Sequence, residues 1–268
     1  MKKRILSTIL SLCMVLSLLP ARVLAQELTH LSHGVVQETA LRSVAVQNIG
    51  PNEAEVELDL YEKMSAQVSV IKLISDIELS GSLQIDYAVT IDLNGHVLKM
   101  GDIADGSVIK VNDGGHLTII DSVPDAAHKF TPNADGLWVL DETGGTKAVC
   151  GGVITGGTGS SIGISVYGGG VYVDGGGTFT MNGGNIVGCT ASTTFSARGG
   201  GVFVAEKGTF TMSGGSIAGC TTVGGYSYGG GIYNEGTVKL SGTAEIRDCH
   251  AKDSDGEAAY GGGISDNG

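Results

Sequence analysis

A glycine-rich segment that returns every 30 to 32 residues constrains the fold of this chain most. The tripeptide Gly-Gly-Gly begins these segments at positions 168, 199, 229 and 261, and the last segment, GGGISDNG, is incomplete. A shorter related segment, GGVITGG, precedes them at 151–157. Self-similarity at a period of 20–50 residues indicates a solenoid, a propeller or another repeat array.

Each complete unit holds three short β-type runs separated by glycine-rich corners. In the first unit these runs are Val171–Val173, Thr178–Met181 and Asn185–Val187, which are too short for helices. Three such runs in about 30 residues are typical of one coil of a parallel β-helix, whereas a propeller blade needs about four strands in about 40 residues. The crossover rule makes the coil right-handed. We therefore predict an all-β, right-handed parallel β-helix over residues 68–268, with its glycine-rich repeats at 168–268.

The columns of the repeat predict which side chains face the core. Ile186, Ile217 and Ile246 occupy one column, so this column should point inward and stack at the strand spacing of about 4.8 Å. Lys239 lies between Val238 and Leu240, so its own column should face solvent.

A cysteine column follows three residues after the isoleucine column. Its members should stack as small side chains at a corner of the core, and they are Cys189, Cys220 and Cys249. A secreted chain with four cysteines after its leader would ordinarily suggest disulfides. Side chains that leave the backbone in parallel fit the torsion of a disulfide poorly, so we predict reduced thiols. The spacing includes no Cys-x-x-Cys pair, so no metal site is expected there.

Residues 1–25 are typical of a secretory signal peptide. Basic residues at 2–4 precede an apolar run at 5–19, and small residues follow at positions 23 and 25, so cleavage is expected before Gln26. The alternative is a membrane anchor, but the apolar run is shorter than the roughly 20 residues that span a bilayer. We predict a secreted or cell-surface protein that is not an integral membrane protein after cleavage.

The segment 26–67 precedes the β-helix and contains a possible cap. Residues 52–66 place Val56, Leu60 and Met64 on one helical face, and such a helix would cover the open end of the solenoid. The alternation in EVELDL fits a strand as the alternative. Farther along, residues 121–147 read as a longer loop inserted between coils.

The charge balance bears on the choice of partners. Four of the 16 basic residues and none of the 28 acidic residues lie in 1–25, so the remaining chain carries a net charge of −16. Such a surface repels phosphate backbones, and we expect no nucleic-acid partner.

Three strings carry a resemblance to a known family: VTIDLNGHVLKM, then GSVIKVNDGGHLTIIDS, then the GGGVYV…GTFTMNGGNIVGC units. Together they resemble the right-handed β-helix (pectin lyase-like) domains of large secreted bacterial surface proteins, over roughly residues 68–268. The resemblance implies a β-helix and an adhesin-like role. It also implies a possible carbohydrate-active enzyme, either a polysaccharide lyase or a glycoside hydrolase.

One aromatic column is the candidate ligand-binding site. If the preceding residues Val171, Val202 and Ile232 point inward, three aromatic side chains form a ladder on an exposed face, where flat rings would suit sugars: Tyr172, Phe203 and Tyr233. The alternatives are stacking for stability alone or an inward aromatic core. The run Asp253–Glu257 is compatible with a Ca²⁺ loop but lacks ligands, so a solvated corner loop is the preferred interpretation. We assign no catalytic residue, no metal ligand and no cofactor.

These observations favour a non-enzymatic, secreted or cell-surface β-helix module in adhesion, surface display or glycan binding. Its partner would be an extracellular glycan or a host or cell-surface ligand. The alternative is the carbohydrate-active enzyme just named, and a third interpretation is a fragment of a longer protein. The incomplete last unit predicts an open edge and end-to-end self-association.

Overall fold

The computed structural model describes residues 53–102 and 104–268, and the repeats in it form a parallel β-helix. The predicted signal peptide (1–25) and residues 26–52 of the predicted N-terminal segment (26–67) lie outside these residues. One helix, α1 (Glu53–Ser65), precedes the strands. This confirms a helix at 52–66 over the alternative strand.

The strands are short, and most contain three to five residues. In chain order they are β1 Val70–Lys72, β2 Ile77–Leu79, β3 Leu83–Ile85, β4 Ala88–Asp92, β5 Val97–Met100, β6 Ile109–Val111, β7 His116–Ile120, β8 Ala127–Pro132, β9 Trp138–Leu140, β10 Lys147–Cys150, β11 Val153–Thr155, β12 Ser160–Ile162, β13 Ser165–Tyr167, β14 Val171–Val173, β15 Thr178–Met181, β16 Asn185–Val187, β17 Thr190–Ser192, β18 Ser196–Arg198, β19 Val202–Val204, β20 Thr209–Met212, β21 Ser216–Ala218, β22 Thr221–Tyr228, β23 Ile232–Asn234, β24 Thr237–Leu240, β25 Glu245–Arg247, β26 His250–Tyr260 and β27 Ile264–Asp266.

Three six-stranded sheets run along the solenoid, and each coil contributes one strand to each sheet. Sheet A contains β1, β4, β7, β15, β20 and β24; sheet B contains β2, β5, β11, β16, β21 and β25; sheet C contains β3, β6, β14, β19, β23 and β27. All neighbouring strands within these sheets are parallel. Numbered from the N-terminal end, the six coils therefore begin with β1, β4, β7, β15, β20 and β24.

The predicted inward columns form the main core. Ile154, Ile186, Ile217 and Ile246 lie in register on consecutive strands of sheet B. The first three are fully buried, and Ile246 in the last coil is partly buried against the same cluster. Lys239 is exposed as predicted. Because each coil repeats the backbone path, like side chains stack on like.

Glycine permits the sharp corners at which the repeat begins. The first glycine of each Gly-Gly-Gly, at 168, 199, 229 and 261, has φ between 58° and 68°. This left-handed conformation costs other residues roughly 1–2 kcal/mol, so the recurrence of glycine at this column follows from the backbone path.

Residues 127–150 form a small antiparallel sheet, sheet D, in which β8 pairs with both β9 and β10. The prediction of an insertion at 121–147 is correct, but the prediction that it is a loop is wrong. Phe130, Trp138 and Val149 give this segment its own apolar cluster. We call residues 127–150 the clasp.

A fifth sheet, sheet E, occurs only in the third to sixth coils, between their sheet B and sheet C strands. It contains β12, β13, β17, β18, β22 and β26. The run Asp253–Glu257 lies within β26, which pairs with β22 through a register shift at this point. The solvated corner loop expected there is therefore a bulge in a strand.

The two ends of the described β-helix differ. At the N-terminal end, Leu60 and Met64 of α1 join the main core together with Ile71 and Leu73 of the first coil. At the other end, the outer edges of β24, β25, β26 and β27 have no strand partner among residues 53–102 and 104–268. Leu240, in register with the fully buried Met212, is 41% exposed there.

Candidate functional site

The aromatic ladder points away from the main core, as predicted, but it is not exposed. Val171 and Val173 belong to the main core, whereas Tyr172 between them belongs to a separate cluster with Phe203 and Tyr233. Their exposed fractions are 6%, 2% and 5%, respectively. The expectation of an open aromatic face is therefore wrong.

Sheet E covers the ladder with a column of side chains, each of which immediately precedes the Gly-Gly-Gly of its coil. Tyr167 of β13 lies edge-on to Phe203, with ring centroids 4.7 Å apart, and Tyr228 of β22 lies 5.7 Å from Tyr233. The Arg198 guanidinium lies 5.3 to 5.7 Å from the rings of Tyr167, Tyr228 and Tyr233. Its Nη1 donates to Glu235 Oε1 at 3.1 Å.

The faces of the ladder rings are already occupied. Tyr172 and Phe203 stack with centroids 5.1 Å apart, Phe203 and Tyr233 stack at 5.9 Å, and the Lys110 ammonium lies 5.3 Å from the Tyr172 ring. Burial, reinforced by Asp174, raises the pKa of Tyr172 to about 12, so its hydroxyl is protonated at neutral pH. A sugar needs a free ring face to stack on, so this cluster is built for packing.

An exposed apolar ridge lies instead at the tips of sheet E. Ile162 and Ile164 in the third coil are 54% and 66% exposed, and Phe195 in the fourth coil is 46% exposed. Ile164 and Phe195 immediately precede Ser165 and Ser196, which are paired residues of β13 and β18. We call Ile162, Ile164 and Phe195 the tip ridge, and the half-buried Tyr226 packs beside it.

Backbone contacts hold the ridge in place from coil to coil. The Thr193 hydroxyl donates to the Ile164 carbonyl at 3.0 Å, and the Tyr226 amide donates to the Phe195 carbonyl at 2.7 Å. The Phe195 and Tyr226 rings lie edge to face at 6.0 Å. Exposed hydroxyls flank the ridge at Ser161, Ser192 and Thr194.

Sequence reasoning missed the tip ridge, although one signal was present. Phe195 follows two threonines in a polar stretch between two predicted runs, one residue before the column that Ser196 shares with Tyr226. A large apolar side chain in such a polar stretch indicates exposure more directly than one inside a strand, whose burial depends on what covers that strand.

A shallow groove of about 250 Å³ lies between the clasp and sheet B. It is lined by Asp76, Ile77, Glu78, Val97, Lys99 and Leu140. Lys99 Nζ lies 3.0 Å from Asp102 Oδ1 and 3.6 Å from Glu78 Oε2. Burial opposes the Lys99 charge, but these two carboxylates outweigh it and raise the pKa of the ammonium group.

The cysteine column stacks as predicted, with thiols that are not bonded to one another. Cys189 and Cys220 are fully buried, and Cys249 in the last coil is partly buried. Burial raises the pKa of the Cys220 thiol well above its usual range. The hydrogen bond with Cys220, followed by burial, also raises that of Cys249. The Cys220 and Cys249 thiols are therefore weak nucleophiles and poor metal ligands.

No group of three or more His, Cys, Asp or Glu side chains within residues 53–102 and 104–268 could hold a metal ion. In the same part of the chain, no helix is long and apolar enough to cross a membrane.

The fold and its repeated coils define a protein of the β-helical solenoid class. No family model matches the chain, and neither a curated protein nor a solved structure is significantly similar to it. The β-helix is thus shown by the structure, and the likeness to pectin lyase-like surface proteins stays an interpretation of the sequence.

Proposed function

We propose that this chain is an exported, non-catalytic β-helix module that binds carbohydrate in adhesion or surface display. The tip ridge is the observation that carries the proposal. Contiguous exposed apolar side chains are uncommon on a soluble surface and mark interaction sites. The parallel sheets hold the ridge on a rigid support, which reduces the entropy lost on binding.

The chemistry of the ridge favours a sugar over an apolar protein partner. Phe195 offers a partly free aromatic ring, and sugars place their C–H faces on such rings. The neighbouring hydroxyls of Ser161, Ser192 and Thr194 are exposed and can exchange hydrogen bonds with sugar hydroxyls. The covered ladder of Tyr172, Phe203 and Tyr233 contributes indirectly, because it fastens sheet E to sheet C.

Export rests on the pattern of residues 1–25. Sequencing of the secreted protein should give Gln26 as its first residue, and a mature protein that begins at Met1 would exclude cleavage.

A glycan array followed by titration tests carbohydrate binding. Phe195→Ser should weaken binding of any glycan detected by about tenfold or more, the loss that removal of a central aromatic contact produces. Val139→Ser is the matched control, because Val139 is 50% exposed on the clasp, away from the ridge. Equal affinity for both variants would contradict the role of the ridge.

A carbohydrate-active enzyme is the second candidate, and the groove beside the clasp is the observation that favours it. Asp76 and Glu78 place two carboxylates there with the Lys99 ammonium, and paired carboxylates are the groups that glycoside hydrolysis requires. If the groove is catalytic, Glu78→Gln should abolish release of reducing or unsaturated ends from polysaccharides. Phe195→Ser should leave that activity unchanged.

A further inference from the structure

The clasp crosses the coils laterally and contacts five of the six. Its apolar cluster includes Val97, Val153, Val187 and Ala218, which lie on the sheet B strands of the second to fifth coils. The Trp138 amide donates to the Gly219 carbonyl at 3.0 Å. In the sixth coil, Lys252 Nζ donates to the Ala134 carbonyl at 3.1 Å.

A single histidine ties the other side of the clasp to the second coil. His128 of β8 is 9% exposed. Its Nε2 lies 2.9 Å from the Gly95 carbonyl oxygen, at the corner between β4 and β5. Its Nδ1 lies 2.8 Å from Glu142 Oε1, on the segment between β9 and β10.

Both partners of the His128 ring are hydrogen-bond acceptors. A backbone carbonyl has no proton to give, and the Glu142 carboxylate acts as an acceptor, since it also accepts the Lys129 amide through Oε2. A neutral imidazole donates from one nitrogen only, so it satisfies one of the two contacts. The geometry therefore fits an imidazolium, which donates from both nitrogens.

We propose that His128 is a proton-dependent latch that fastens the clasp to the second coil. The protonated ring bridges Glu142 on the clasp and Gly95 on the solenoid. When the ring loses one of its two N–H protons, that nitrogen presents a lone pair to an acceptor oxygen. The hydrogen bond at that nitrogen is then lost. The latch then contributes its full stability while the ring carries both protons, and it loses this contribution once the pH is high enough to remove one of them.

Other charged or titratable groups lie near His128, and the test must distinguish them from it. Asp121 Oδ1 accepts the Gly95 amide at 2.7 Å and fixes the corner. His96, which follows Gly95 in the chain, has its Nδ1 3.3 Å from Asp76 Oδ1. At the far side of the clasp, His250 of β26 lies against Gly136 and is the titratable group to control for.

Amide hydrogen exchange of Trp138 in the full chain tests the latch. Its hydrogen bond to Gly219 breaks when the clasp opens, so its protection reports opening. Loss of one charge-assisted hydrogen bond should lower that protection about tenfold between pH 5.5 and 8.0, after correction for the intrinsic rate. His128→Gln should remove the pH dependence. An equal dependence in this variant would overturn the proposal.

Two matched variants and one direct measurement complete the test. His250→Gln and His116→Gln should keep the wild-type pH dependence of Trp138 protection. Its loss in either variant would assign the pH dependence to that histidine and overturn the latch. If His128→Gln does not fold, ¹⁵N spectra of the wild-type imidazole decide the question. Protons on both His128 nitrogens at pH 5.5 are expected, and a singly protonated ring at that pH would overturn the latch.

Discussion

Ile217 illustrates how strictly the stacked core limits a single residue. It is fully buried between Ile186 and Ile246 on neighbouring strands, with an apolar side chain above and below it. Ile217→Asp should destabilise the protein by several kcal/mol, because it buries a charge that has no partner. Lys239→Asp, on an exposed position, is the control and should be nearly neutral. Equal losses of melting temperature would mean that the assigned facing is wrong.

The cysteines provide a second prediction at this scale. Alkylation of the folded protein at pH 8 should label the exposed Cys150 and spare Cys220. Burial raises the pKa of Cys220, so its reactive thiolate is scarcer than that of an ordinary cysteine. Mass spectrometry of native and denatured samples measures this, and rapid native labelling of Cys220 would contradict its burial.

Among the elements, the packing of the clasp on the β-helix depends on Gly219, which the Trp138 ring covers. Gly219 has φ of +59°, and a Cβ there would enter the Trp138 ring. Gly219→Ala should therefore lower the free energy of unfolding by about 1–3 kcal/mol beyond the conformational cost alone. Gly114→Ala is the control, because Gly114 has φ of +74° and open space around its Cβ position.

Tryptophan fluorescence distinguishes the two glycine variants. Trp138 is the only tryptophan in the chain, and it is buried between the clasp and sheet B, with Lys147 and Arg247 each about 5 Å from its ring. Gly219→Ala should shift its emission to longer wavelength and Gly114→Ala should not. A shift in both variants would indicate a global effect.

The elements also show what the sequence could and could not predict. The isoleucine, cysteine and Gly-Gly-Gly columns predicted the coils, because stacking repeats one backbone path and so appears in the sequence as a period. The clasp occurs once and packs sideways on coils up to about 120 residues away, as the contact of Lys252 with Ala134 shows. No period records such contacts. The burial of Tyr172 was missed for a different reason: the sheet E residues that cover it do recur, but their period does not show that they fold back over sheet C.

For the whole molecule, the unpaired edge of the sixth coil predicts a gradient of stability. Within residues 53–102 and 104–268, β24, β25, β26 and β27 pair with a strand on one side only. Hydrogen exchange should show protection that is highest in β15 and β20 and lowest in β24 and β27, with end-to-end association at high concentration. Uniform protection through residue 266 in a monomer would contradict this prediction.

The lateral path of the clasp has a consequence for how such a chain can evolve. Repeat proteins change length readily when whole units are duplicated or lost. Here, one more coil between the second and the sixth would displace the two anchors of the clasp by about 4.8 Å, the spacing of paired strands. Gly95 and Ala134 could not then both keep their partners. The clasp therefore fixes the number of coils that it spans. Gain or loss of a coil is compatible with the clasp only outside that span.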